Sequence, residues 1–316
     1  MNGKSPYSHF LWIGASKWNK PTPSTASIIS SLLISLPPAM PKSPRVFTVL
    51  DWLGLVLLWL FTIAVLAGFG SFGLHPELLA QAPSAADFYG IAFILFSRGH
   101  VIIAFLVLAL LLIPRIRLSW LPALILAGFI SLGMELMGTK TGFPFSGYEY
   151  TGLLGYRIAG LVPVLIPISW FMVAFPSYVL ARRMTSSRYM HWILGALILT
   201  AWDLTLDPAM SDLTKYWIWE NAGPYYGMPL VNLAGWFGTG ILIMVAFHFS
   251  GTGKIADRIP PILMEAYYIT VVVLSLGMTL LAGYWLATFL TLGVFAAIRV
   301  LIYLNSDTSE GLPGSP

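Results

Sequence analysis

Between residues 46 and 304 the chain runs apolar for about 20 residues at a time, eight times over, with short polar connectors between the runs. Wound as an α-helix rising about 1.5 Å per residue, such a run crosses a hydrocarbon layer about 30 Å thick. Hydrocarbon offers nothing to a bare backbone N–H or C=O, so only helices and closed barrels cross it, and continuous runs of this length specify helices. The chain is 57% hydrophobic and 9% charged, where a soluble domain carries about 25% charged residues. The expected fold is therefore all-α, a polytopic transmembrane helix bundle of about eight spans, at 46–69, 90–113, 118–138, 160–181, 189–206, 229–250, 262–282 and 284–304. The boundary between the last two rests on Gly283 and on the length of the run.

Residues 1–45 read as a disordered basic tail: the apolar piece Ile28–Leu36 is short for a span and stops at Pro37-Pro38. Residues 305–316, with their Gly, Pro and Ser, read as a second disordered tail. That leaves 46–304 as the functional domain, in which no internal repeat of the inverted-transporter kind is visible. Charge is asymmetric across the predicted bundle. One side holds Lys4, Lys17, Lys20, Lys42, Arg45, Arg115, Arg117, Arg182, Arg183, Arg188, Lys254 and Arg258; the other loops hold Lys140, Arg157 and Lys215. By the positive-inside rule both termini are cytoplasmic. The expected location is the cytoplasmic membrane, or a thylakoid membrane in a cell that has one. The mild positive net charge serves this orientation, and no nucleic-acid partner is expected.

Two connectors are too polar and too patterned for simple turns. One runs from Glu135 (ELMGTKTGFPFSGYEYTGLLG); the other covers 201–236 (AWDLTLDPAM, then WIWENAGPYYGMPLVNLAGW). Carboxylates, tyrosines, tryptophans and Gly/Pro pairs of this density do not sit beside hydrocarbon unless protein or a cavity covers them. With the spans running in alternating directions, Glu135, Asp203 and Asp207 fall at the non-cytoplasmic ends of their helices, and Arg98 and His100 lie two or three turns below the same side. Asp203 and Asp207, four apart, share a helix face. Arg98 is expected to neutralise one of these carboxylates inside the bundle, and Asn232, one turn into the sixth span, to bond a neighbouring helix or orient water. Asp51, Glu265 and Arg299 lie near cytoplasmic ends, where snorkelling or a structural ion pair accounts for them. His75, His191 and His248 are scattered near span ends and read as structural.

Absent residues narrow the chemistry. The chain has no cysteine, which removes disulfides, thiolate metal sites and a cysteine nucleophile. It has no histidine box for a di-iron centre, no lysine within a span for a Schiff base, no Gly-rich phosphate loop and no GxSxG elbow. No metal ligand set and no cofactor are assigned. Acid–base chemistry by carboxylate and tyrosine in an aromatic pocket remains.

Taken as a set, the residues resemble the membrane carotenoid 1,2-hydratases of the CruF type, the γ-carotene 1′-hydratases and bisanhydrobacterioruberin hydratases, over roughly residues 50–300. The motifs that carry the resemblance are Glu135-x-x-Gly138-Thr139-x-Thr141-Gly142-x-Pro144-Phe145, Tyr148-x-Tyr150, Leu154-Gly155, Pro163-x-x-x-Pro167 and Trp170-Phe171. They continue with Asp203-x-x-x-Asp207-Pro208, Trp217-x-Trp219, Gly223-Pro224-Tyr225-Tyr226-Gly227, Pro229, Asn232 and Gly235-Trp236. Ser146 stands where some members of that family carry Gly.

The resemblance implies addition of water across the terminal 1,2 double bond of a linear ψ end group, giving a tertiary alcohol without redox cofactor or oxygen. It implies a carotenoid substrate in a lipid environment and a carotenoid glycosyltransferase as a downstream partner. The residues suit that chemistry. A carboxyl kept neutral by its setting can protonate C2, aromatic faces stabilise the cation left at C1, and a second polar group takes a proton from the attacking water. The catalytic set is Asp203, Asp207 and Glu135, with one of the aspartates as donor and Glu135 positioning or deprotonating water. Substrate-binding residues are Arg98, Tyr148, Tyr150, Trp170, Trp219, Tyr225, Tyr226, Asn232 and Trp236. A transporter using the buried charges as a relay, or a non-catalytic carotenoid-binding protein, are the alternatives.

Overall fold

The computed structural model describes residues 47–81 and 83–310, with the side chains of Pro83 and of 302–310 left aside. The predicted tail at 1–45, and the part of the predicted 305–316 tail from 311 on, lie outside these residues. Ten α-helices are present among the described residues. In chain order they are α1 (Val49–Gly68), α2 (Pro76–Ala80), α3 (Pro83–Ile116), α4 (Leu121–Thr141), α5 (Leu165–Met184), α6 (Arg188–Asp207), α7 (Val231–Phe249), α8 (Thr252–Ala256), α9 (Pro261–Leu281) and α10 (Trp285–Glu310). Short π-helical stretches extend α1 through Phe69–Gly73 and α6 through Pro208–Leu213. Among the described residues seven helices are long and apolar enough to cross a membrane, and the protein is an integral multi-pass membrane protein. The eighth predicted span is present as α10, whose apolar part, Trp285–Leu301, is shorter than the others. That helix runs past the predicted end at 304 to Glu310.

Two predicted starts move by five residues or more. The second span starts at Pro83 rather than at 90, because proline presets the backbone angle of a first helical turn and the polar residues after it extend the helix. The fourth starts at Leu165 rather than at 160. Residues 157–163 instead fold as a small hairpin, β2 (Arg157–Ile158) against β3 (Val162–Pro163), turned by Ala159 and Gly160 at φ 52° and 72°.

Helix α5 is the hub: it packs against α3, α4, α6, α7, α9 and α10, and its residues from Trp170 to Ala181 are all buried. An element apolar on every side belongs in the middle of a bundle. The ends predicted to be structural are so. Thr48 caps α1 in a reciprocal box with Asp51, and Asp51 receives two bonds from Arg115, of 2.9 and 2.6 Å. Arg299 pairs with Glu265 at 2.8 Å.

At the opposite end the two patterned connectors fold onto each other. Helix α4 stops at Gly142, which takes a left-handed φ of 77° and donates its N–H to the Gly138 carbonyl at 2.8 Å. The chain then enters β1 (Tyr148–Tyr150), which pairs antiparallel with β4 (Trp217–Trp219) from the second connector. In this register Tyr148 faces Trp219 and Tyr150 faces Trp217. Ser146 adopts a φ of 93°, a conformation that suits glycine.

Candidate active site

The β1–β4 pairing places the chemistry. Side chains alternate across a strand, so Tyr148 and Tyr150 reach the same side, where α4 presents Glu135. Both hydroxyls donate to Glu135 Oε2, Tyr150 at 2.8 Å, while the Trp170 indole of α5 donates to Oε1 at 3.0 Å. Three protein donors from two elements thus fix one buried carboxyl group, and among the described residues no cation pairs with it. Burial, reinforced by the Glu135 charge, holds the Tyr148 and Tyr150 phenols well above their ordinary range. They therefore remain donors at any physiological pH.

The second pole lies at the end of α6. Asp207 Oδ1 accepts from Ser211 Oγ at 2.7 Å and from the Trp219 indole at 3.1 Å. One amide nitrogen, Asn232 Nδ2 of α7, bridges the two aspartates, at 2.8 Å from Asp203 Oδ2 and 2.9 Å from Asp207 Oδ2. Asp203 Oδ1 is buried with no partner. The poles are joined through the strand pair: Tyr148, on Glu135, packs against Trp219, on Asp207, with ring centroids 5.2 Å apart. The wall between them is aromatic. Trp170 stacks on Trp236 at 4.2 Å, Trp202 meets Trp236 edge-on at 6.1 Å, and Tyr150 meets Trp217 at 6.0 Å. Phe145 completes this wall, inserted between α4 and α7. A Cβ at Gly138 would come within 2.7 Å of its ring and one at Gly235 within 2.5 Å, which is why both facing positions lack a side chain.

These groups border one cavity of about 430 Å³, whose walls include Glu135, Asp207, Asn232, Tyr148, Tyr150, Trp170, Trp219 and Trp236. Eight residues assigned from the sequence are thereby brought together. Four others lie elsewhere. Asp203 stands behind Asn232 and does not reach the cavity wall.

Arg98 does not neutralise a carboxylate, contrary to expectation. Its guanidinium is spent on backbone, donating to the Leu153 carbonyl at 2.8 Å and the Gly152 carbonyl at 3.2 Å. The reason is local: residues 152–154 form a single 3₁₀ turn in which the Gly155 N–H already bonds the Gly152 carbonyl at 3.1 Å, and Arg98 of α3 lies beside it and takes up the Leu153 carbonyl. Arg98→Ala is expected to lower stability by about 1–3 kcal/mol by leaving the Leu153 carbonyl without its donor. Arg98→Lys would restore only part of this, since an ammonium cannot reproduce the planar fork. Thermal unfolding in detergent measures both; equal melting points for the two variants would contradict a backbone clamp.

Tyr225 and Tyr226 likewise hold the fold instead of facing the cavity. Pro208 has no N–H to offer the Leu204 carbonyl four residues earlier, and the Tyr225 hydroxyl donates to that carbonyl at 2.8 Å. Tyr226 stacks on Tyr284 at 4.3 Å, and its hydroxyl accepts from the Leu286 backbone at 3.2 Å.

Several site residues went unassigned in the sequence. Ser211 is four residues beyond Asp207, a spacing that signals the contact. Tyr216, His100 and Ser97 also line the cavity. The Tyr216 hydroxyl donates to Ser97 Oγ and its phenol is pushed up to about 12 by burial. His100 is bonded to Thr62 at 3.1 Å. No motif announced the Tyr216–Ser97 and His100–Thr62 contacts, because each joins elements distant in sequence.

The family described as "Carotenoid biosynthesis protein" matches residues 96–298, more than half of the chain, a range that includes Glu135, Asp203, Asp207, Asn232 and the aromatic wall between them. A bisanhydrobacterioruberin hydratase from Haloarcula japonica is 31% identical over 131 residues, which are 40% of this chain and 44% of that protein. No solved structure matches the chain.

Proposed function

The chain belongs to the family of carotenoid biosynthesis proteins, and on that premise we propose that it is a hydro-lyase adding water to the terminal 1,2 double bond of a carotenoid ψ end group. The observation that supports this reading is the pair of cavity-facing carboxyl groups, Glu135 and Asp207, held by aromatic donors in a largely apolar chamber. The partial match to a protein named as a hydratase agrees with it.

Asp207 is the proton donor. It shares Asn232 with Asp203, and two carboxyl groups this close, with no cation paired to them among the described residues, cannot both ionise without a large Coulomb cost. Of the two, Asp207 is the one that faces the cavity, so it is the one placed to deliver a proton the pair holds. Transfer of that proton to C2 uses the π electrons of the alkene and leaves a tertiary cation at C1. The faces of Trp219, Trp170, Trp236 and Tyr148 stabilise that charge without bonding to it. Water adds through oxygen at C1, and the resulting oxonium gives its extra proton to Glu135. An oxonium is acidic enough to protonate a carboxylate that already accepts three hydrogen bonds. Return of a proton to Asp207 closes the cycle, and the sum is alkene plus water to tertiary alcohol. Arg98, Tyr225 and Tyr226 support the walls, and Asp203 polarises Asn232 from behind.

Expression in a host that makes lycopene or γ-carotene tests the activity. The expected product is heavier by one water with the chromophore spectrum unchanged. Unaltered pigment mass alongside well-folded protein would count against a hydratase and for a carotenoid-binding role. A transporter reading predicts no pigment change and no retained pigment.

Both termini are cytoplasmic in this reading, which puts the site toward the opposite face. Lys140 and Ser187 are both exposed at opposite ends of the bundle. Because the chain has no cysteine, single cysteines introduced there give a clean test. In sealed cells an impermeant maleimide is expected to label position 140 and not 187; the reverse pattern would invert the topology.

A further inference from the structure

The cavity is longer than the acid site needs. Along α3 its lining follows Ala85, Phe88–Tyr89, Ala92–Phe93, Phe96–Ser97 and His100–Val101. That is one helical stripe with spacings of three and four, spanning roughly 24 Å at 1.5 Å per residue. The facing wall comes from α1 and its π-helical extension, through Ala64, Gly68, Phe69 and Phe72. Among all the residues that border the cavity, the exposed ones are Ala64, Phe72, Ala85 and Phe88. Every one belongs to α1, its extension or α3, within segments that cross the membrane. The two connectors contribute only buried or half-buried residues to the lining. The opening is therefore sideways, between two spans, and the loop face is closed.

We infer that the α1–α3 gap is the carotenoid's entry port and rod-binding slot. The polyene passes from the bilayer between Phe72 and Phe88, and its ψ end alone reaches Glu135 and Asp207. This rests on the proposed hydratase reading and adds to it the path and the residues that gate it. Three features argue for a rod rather than a compact ligand. The slot is long and follows a helix axis. A run of ring contacts leads inward from the mouth, Phe72 to Tyr89 at 5.7 Å, Tyr89 to Phe93 at 6.2 Å and Phe93 to Tyr216 at 6.0 Å, a continuous aromatic track along which a conjugated chain can lie. Small residues keep the slot open: Ala64, Gly68, Ala85 and Ala92 line it, and a Cβ at Gly68 would meet nothing within 4 Å. A side chain there can fill the slot without displacing backbone.

The test uses full-length protein expressed with its carotenoid and purified in detergent, reading carotenoid bound per protein and the hydrated fraction. Gly68→Phe and Ala92→Trp are expected to reduce both at least tenfold. Ile125→Trp, on the exposed face of α4, is expected to change neither. Asp207→Asn is expected to keep bound pigment within twofold while losing hydration. Slot variants that bind and hydrate within twofold of the wild type, with Asp207→Asn inactive, would overturn the slot and leave the hydratase reading standing. Normal hydration by Asp207→Asn would instead sink the assigned chemistry. Bound pigment still decides the slot if the wild type adds no water.

Should the bulky variants fail to fold, the conservative Ala85→Cys keeps the question open to measurement. A membrane-partitioning maleimide is expected to label it, and bound carotenoid to slow the labelling at least fivefold. Equal rates with and without carotenoid would exclude the port.

Discussion

Asp207→Asn is expected to lower hydration of the ψ end group by about 10²–10⁴-fold, the usual worth of a positioned acid. The variant should still fold. Its amide oxygen can keep the donors Ser211 and Trp219, which bond Oδ1 at 2.7 and 3.1 Å. Its amide nitrogen then faces Asn232 Nδ2, a donor against a donor, at a cost of about 1–3 kcal/mol. Glu135→Gln is expected to reduce turnover comparably, because its three donors leave no orientation in which an NH₂ group avoids an N–H or O–H. Asp203→Asn separates the roles. Its carboxyl does not reach the cavity, so hydration is expected to fall by no more than about tenfold, equivalent to about 1.4 kcal/mol of barrier. Product formation in membranes with saturating carotenoid measures all three. If Asp203→Asn is the inactive one and Asp207→Asn turns over normally, the proton donor has been assigned to the wrong aspartate.

Asn232→Leu is expected to be the most damaging single change to stability within the site. One amide nitrogen serves both aspartates, and Asp203 Oδ1 already lacks a partner. Losing Asn232 leaves the whole Asp203 carboxyl without a donor in a buried position. Leaving a buried carboxyl acceptor without its donor costs about 1–3 kcal/mol, more where the group is ionised, and the melting temperature in detergent is expected to fall accordingly. The companion measurement is a rescue. Asp203→Leu combined with Asn232→Leu is expected to be more stable than Asn232→Leu alone, because removing both polar partners abolishes the desolvation penalty that removing one creates. A double variant no better than the single one would show that Asn232 acts through packing and not through the carboxyl groups. Hydration is lost in either case, since Asp207 loses the donor that orients it.

How much of this was legible in the chain differs by feature. The depth shared by Glu135, Asp203 and Asp207 follows from counting residues along alternating spans, and Glu135 and Asp207 do border one cavity. The clustered tryptophans and tyrosines between the spans pointed to the aromatic wall, and Trp170, Trp219 and Trp236 stand in it. Arg98 misled for a physical reason. Buried charge suggests a buried counter-charge, yet an arginine can equally spend its donors on the carbonyls of a short turn. Tyr225 misled similarly: its place in an aromatic-rich segment suggested a pocket lining, whereas the carbonyl freed by Pro208 claimed its hydroxyl.

What the sequence determined by itself are properties carried by consecutive residues: that the chain crosses a membrane several times as helices, which ends carry basic charge, and which two connectors break the pattern. Run length and local composition decide these without reference to distant partners. Only the tertiary structure decided which carboxyl meets which donor, that Tyr148 stands across from Trp219, and that the chamber opens between α1 and α3. Those depend on two connectors about 70 residues apart pairing as strands, and on helices packing at fixed separations. Contacts of that kind leave no periodic trace in the order of amino acids.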